Sequence, residues 1–151
     1  MRYGLIDRFL ELEKGKHARA VKCVTKGEPF VAELGSYPPT LVLEALLQTG
    51  GVLARLGAGA GMRSVLGKVD RAEFPAEAYP GDRIELHVAA TLSRPEGTLC
   101  EGVATVDGRV VGKAEFMIVF LPEGMAPPET PELREHRRLL AQALGIPGGE
   151  E

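Results

Sequence analysis

The stretch TLVLEALLQTGGVLARLGAG, residues 40–59, limits the folds open to this chain more than any other. Its pattern is helical, and apolar side chains fall on nearly every face, which predicts a helix buried by neighbours on most sides. Pro38 and Pro39 suit its start, because proline's fixed φ fits the first turn and its missing N–H has no partner to lose there. Gly57, Gly59 and Gly61 close it. Something must surround such a helix, and most of the remaining chain is patterned as strands.

The segment YGLIDRFLELEKGKHARAVKCVT reads as two strands about a turn at Lys14-Gly15-Lys16, with His17 in the turn. KGEPFVAELGSYPP is read as a loop. After the helix come SVLGKVDRAEF, the turn YPGDR, then IELHVAATLS, TLCEGVATV and RVVGKAEFMIVFL. Asp107-Gly108 is a two-residue hairpin signal between the last two. Two strands, a long helix and a run of antiparallel strands predict an α+β fold, an antiparallel sheet wrapped around a central α-helix. Residues 1–121 make this domain and 122–131 a linker. An extra C-terminal helix is expected over 132–145, with Thr130 as its cap and Pro131 at its start. Leu133, Leu140 and Leu144 form one stripe on it, able to dock on the body or on a second subunit.

The formal net charge is −3, and no basic block marks a phosphate footprint, so nucleic acid is not an expected partner. Glu44, Gln48 and Arg55 interrupt the best candidate for a membrane crossing. The N-terminus lacks the build of a signal peptide. Cys23 and Cys100 are too far apart for a disulfide framework or a metal knuckle. The expectation is a cytoplasmic protein with no metal and no cofactor. GAGAG follows a helix rather than a strand, so it reads as a helix end and not a dinucleotide loop. His17, His87 and His136 fall in a turn, a strand and the tail helix, none with a second ligand at metal spacing.

Glu44 is the residue to explain. It is an ionisable group among apolar neighbours, and Gln48 lies one turn along the same face, placed to hydrogen-bond the carboxylate or a ligand. A buried carboxylate would have a raised pKa, suited to acid or base work near neutrality. The plainer alternative is a solvated helix-face glutamate, with the Gln48 amide satisfied against backbone.

Four stretches in order, LIDRFLELEKGKHARAVKCVTKGEPF, LVLEALLQTGGVLA, YPGDRIELHV and VDGRVVGKAEFMI, resemble the 3-hydroxyacyl-acyl-carrier-protein dehydratases of the FabZ type. The resemblance implies the hotdog fold, two subunits joining sheets, and an acyl chain in a tunnel at their interface. It implies thioesters of acyl carrier protein or coenzyme A as partners, and a place in fatty-acid metabolism. The family's helix glutamate falls on Glu44 and its glutamine on Gln48.

The family's catalytic histidine sits in a G-H-F-P-G loop just after E-P-F, whereas here EPF leads into VAELGSYPPTLVLE, which is shorter and has no histidine. The family's P-G at the helix start falls on Pro38 and Pro39, and the glycine N–H that polarises the thioester carbonyl has no counterpart in proline. Losing one oxyanion donor costs about 10²–10³ in rate, and losing a general base about 10²–10⁴. A replacement amide could come from Thr40 or Leu41. Glu44 is the catalytic candidate, and Tyr37, Thr40, Leu41 and Gln48 are the substrate-binding ones.

Three activities follow from the resemblance. One is a dehydratase, impaired or altered, in which Glu44 protonates the leaving hydroxyl. Another is an acyl-thioester hydrolase, with Glu44 as nucleophile or water-activating base. The last is a non-catalytic acyl-thioester-binding subunit that completes the tunnel of a catalytic hotdog partner. Docking an acidic carrier protein would need a basic face, drawn from Arg2, Arg8, Arg71 or Arg83.

Overall fold

Period-two alternation in the strands has a direct structural result: Ala18, Ala20, Ile84, Leu86 and Val88 are buried on one side of a sheet, while Glu85 and His87 lie on the other. This computed structural model describes residues 4–59, 62–122, 124–125, 128 and 130–146. Its elements are β1 (Arg8–Glu13), β2 (His17–Cys23), α1 (Pro29–Leu34), α2 (Pro39–Ala58), β3 (Arg63–Glu73), β4 (Arg83–Arg94), β5 (Gly97–Val106), β6 (Arg109–Leu121) and α3 (Pro131–Leu144). The strands form one six-stranded antiparallel sheet, ordered β1-β2-β4-β5-β6-β3, wrapped around α2. The turn at Asp107-Gly108 joins β5 to β6 as expected, with φ of 49° and 79°, the left-handed pair that such a hairpin needs.

The core lies between α2 and the inner sheet face, where Leu46, Leu53, Ile84, Leu86 and Phe116 are almost wholly buried. Each such side chain contributes about 1.5–3 kcal/mol. At Gly50 the helix lies close against the sheet, since a Cβ there would stand 2.5 Å from Phe116 Cε2. The helix is not enclosed on most sides, however. Val42, Ala45, Leu46, Thr49, Gly50, Leu53 and Ala54 are buried, whereas Glu44, Leu47, Gln48, Gly51, Val52 and Arg55 are half-buried and Thr40 is exposed. One sheet covers one side of a helix, and a groove opens between the uncovered residues of α2 and the β3 edge of the sheet.

By length and hydropathy alone α2 is apolar enough to cross a bilayer (20 residues, mean hydropathy 1.3), and the three polar interruptions do not change that. Its packing against the sheet accounts for the composition. The loop expected over 26–39 contains α1, which begins at Pro29 and stops at Gly35, whose φ of 78° lets its N–H return to the Val31 carbonyl. His17 opens β2 instead of lying in the turn, because its backbone pairs with Ala89. The Leu144 end of α3 packs on the core, while Leu139 and Leu140 stay exposed. Arg2, Gly61, the Leu133 side chain and part of the 122–131 linker lie outside the described residues.

Beside α1, Lys22 is 8% exposed and its Nζ lies 2.7 Å from Glu28 Oε1. Burial works to raise the Glu28 pKa, but the Lys22 hydrogen bond, the Thr25 N–H and the Lys22 charge outweigh it and hold the carboxyl below its ordinary 4.5. A depressed carboxyl pKa stabilises the fold at pH above the unfolded-state value, and that stability is lost as pH falls through the folded-state value. Thermal melts from pH 7 downward are therefore expected to show Tm falling below about pH 4.5, less steeply in Glu28→Gln. Parallel curves for the two proteins would remove this pair from acid unfolding.

Candidate functional site

Thr40, Glu44 and Gln48 are spaced four residues apart, so they share the α2 face that the sheet leaves open. Gln48 Nε2 donates to Glu44 Oε1 at 3.3 Å, while Gln48 Oε1 accepts from the Leu5 backbone N–H at 3.0 Å. The second bond decides the first. A backbone N–H can only donate, so it claims the amide oxygen and turns the NH₂ towards the carboxylate. Sequence reasoning paired Gln48 with Glu44 but missed Leu5, since a backbone amide carries no residue signal.

A groove of about 180 Å³ opens beside this pair, lined by Glu44, Leu47, Gln48 and Gly51 of α2, by Ser64, Val65 and Leu66 of β3, and by Ile118. Glu44 is the one ionisable side chain in that lining among the described residues. A larger hollow of about 290 Å³ lies among Arg71, Glu73, Glu101, Lys113 and Glu115, where Arg71 is already bonded to Glu73 at 2.6 Å. It is apart from Glu44.

The other site candidates divide. Thr40 sits one turn before Glu44, at the second helical position, where its N–H has no acceptor upstream within the helix. The Leu41 N–H is engaged, donating to the Pro38 carbonyl at 2.9 Å, and its half-buried side chain packs on the core. Tyr37 does not join the groove. It is 1% exposed, its N–H donates to the Ala78 carbonyl, and Lys22 Nζ stands 5.7 Å from the ring centroid. Burial, with the Glu28 and Asp7 charges, pushes its phenol pKa far up, so it remains protonated. Its hydroxyl has no hydrogen-bond partner among the described residues.

The histidines lie elsewhere. His17 and His87 meet edge to face at 5.6 Å on the sheet's outer side, where His17 is also 3.4 Å from both Glu11 and Glu13. His136 is exposed on α3. The basic candidates do not make one face either: Arg8 and Arg83 flank the far end of β2, while Arg71 is on β3 across the sheet. Cys100 is buried, and burial pushes its thiol up to about 11, which makes it inert.

A family model described as a FabA-like domain matches residues 2–115. The 3-hydroxyacyl-[acyl-carrier-protein] dehydratase FabZ of Roseiflexus sp. (strain RS-1) is 39% identical over 127 residues, 80% of this chain and 87% of that protein. The FabZ dehydratase of Erwinia tasmaniensis is 38% identical over 120 residues, 75% and 80% of the two chains. Among solved structures, smu.793 from Streptococcus mutans UA159, bound to acetyl CoA, superposes with a TM-score of 0.68 at 15% identity, covering 80% of this chain and 93% of that one. A hypothetical thioesterase protein with coenzyme A from Streptococcus pneumoniae TIGR4 gives 0.63 at 13%, covering 76% and 84%. At such identities the likeness is one of fold.

Proposed function

The chain belongs to the FabA-like domain family, as a hotdog-fold relative of the FabZ dehydratases, and from that premise we propose that it takes acyl thioesters of acyl carrier protein or coenzyme A into the groove beside Glu44, with histidine-assisted dehydration impaired. The observation that carries this reading is Glu44 itself, held by Gln48 and the one ionisable group in the groove among the described residues. Loss of water from a 3-hydroxyacyl thioester needs a base for the α-proton and an acid for the leaving hydroxyl. A lone carboxylate has to do both in turn, taking the proton at Cα and passing it to the departing oxygen. Assembly in this reading is a homodimer joined along β3, an edge strand whose Val65 and Leu66 are each 44% exposed beside the groove.

Hydrolysis is the second reading, favoured by the position of the Thr40 N–H. Glu44 would take a proton from water as the oxygen attacks the thioester carbonyl. The oxyanion would face Thr40, and the departing thiolate would recover the proton.

A mass-spectrometric time course on short, medium and long 3-hydroxyacyl thioesters separates these outcomes. The expected result is water loss at least about 10²-fold slower than by a histidine-bearing FabZ assayed alongside. Water loss at the homologue's rate would overturn the reading, and release of free acid would replace dehydration with hydrolysis.

A further inference from the structure

The open face of α2 does not end at Gln48. Gly51 and Arg55 continue the line of Glu44 and Gln48 at helical spacing, which puts Arg55 about 16 Å along the axis from Glu44. At Gly51 the space above the helix is open, since an added Cβ would meet nothing within 4 Å. Helical side chains lean towards the N-terminus, so Arg55 leans over that opening.

Arg55 is half-buried and, among the described residues, makes neither hydrogen bond nor ion pair. The charge that acts on it has the same sign. Burial first, then the positive charge of Arg137 on α3, pulls its pKa down. The C-terminus of α2 favours a cation in its last turn, which explains one arginine. It does not explain burial, nor a second arginine brought close. α3 also lies beyond the residues matched by the family model, so the second positive charge felt at Arg55 comes from the chain's own addition.

We propose that Arg55 is a specificity residue for the far end of the acyl chain, and that the groove takes acyl thioesters whose terminal carbon bears a carboxylate. The thioester lies by Glu44 and Thr40, the methylenes run along Leu47, Gly51, Val65 and Leu66, and the terminal carboxylate meets the Arg55 guanidinium with Arg137 behind it. This rests on the acyl-thioester reading above and names the class of acyl group.

Calorimetric titration of the full chain with octanoyl-coenzyme A and with the coenzyme A monothioester of octanedioic acid tests it without turnover. Wild-type protein is expected to bind the carboxylated thioester at least about tenfold more tightly, the scale of a charge-assisted hydrogen bond. Arg55→Leu loses that preference and keeps its affinity for the octanoyl compound. Arg55→Gln serves as a second variant, with circular dichroism to establish that each is folded. Equal binding by wild type, or a preference that survives in a folded variant, overturns the proposal while the acyl-thioester reading stands. Binding of neither thioester overturns the proposal together with the coenzyme A form of that reading.

Discussion

Glu44→Gln is expected to lower acyl-thioester turnover by about 10²–10⁴ in kcat, with Tm and circular dichroism unchanged. The substitution is nearly isosteric, and a glutamine at 44 still offers a carbonyl oxygen to Gln48 Nε2, so the 3.3 Å contact and the groove wall survive. What vanishes is the group able to hold and release a proton. Gln48→Leu behaves differently. It leaves the Leu5 N–H without its acceptor, at a cost of about 1–3 kcal/mol, and frees Glu44 to change rotamer. Steady-state kinetics beside thermal melts distinguish the two: loss of rate at constant Tm for the first, a fall in both for the second. A Glu44→Gln protein with unchanged kcat would remove this carboxylate from the chemistry.

The largest expected loss of stability is at Phe116. This ring is 1% exposed between α2 and the sheet, and truncation in Phe116→Ala is expected to cost about 3–5 kcal/mol. Gly50→Ala attacks the same contact from the other side. Its new methyl would sit 2.5 and 2.6 Å from two ring carbons, an overlap costing about 1–3 kcal/mol. Alanine's helix preference over glycine, about 1 kcal/mol, offsets only part of that. In the double variant the methyl enters space the ring has left, so the two costs do not add. A favourable coupling of about 0.5–3 kcal/mol is expected from urea denaturation. The chain has no tryptophan, so circular dichroism is the suitable probe. Strict additivity would mean that helix and ring are not in the close contact described.

Much of this architecture is legible in the sequence because its causes are local. The α2 pattern, the Asp107-Gly108 hairpin and the β2 alternation each depend on residues a few positions apart. The Glu44–Gln48 pair is readable for the same reason. α1 is not, although Pro29 and Gly35 mark its ends, because six residues are too few to show a period. Tyr37 illustrates a different limit. It stands among the substrate-binding candidates of the sequence, and its bridge to Ala78, a pairing 41 positions away that no local pattern announces, carries its side chain into the core. Arg55 reads as an interruption in an apolar helix, and only the folded chain shows it half-buried and under the positive charge of Arg137.

The Leu5 bond has a practical consequence. A backbone amide whose hydrogen is held by Gln48 exchanges with solvent only when that side chain lets go, so its deuterium uptake reads whether the Glu44 pair is assembled. One resonance, 43 positions upstream of Gln48, becomes a built-in reporter of the site. Occupancy of the groove can then be followed in hydrogen-exchange spectra of the unlabelled ligand's complex, with no chromogenic substrate and no turnover, by watching the chain's own opening residues.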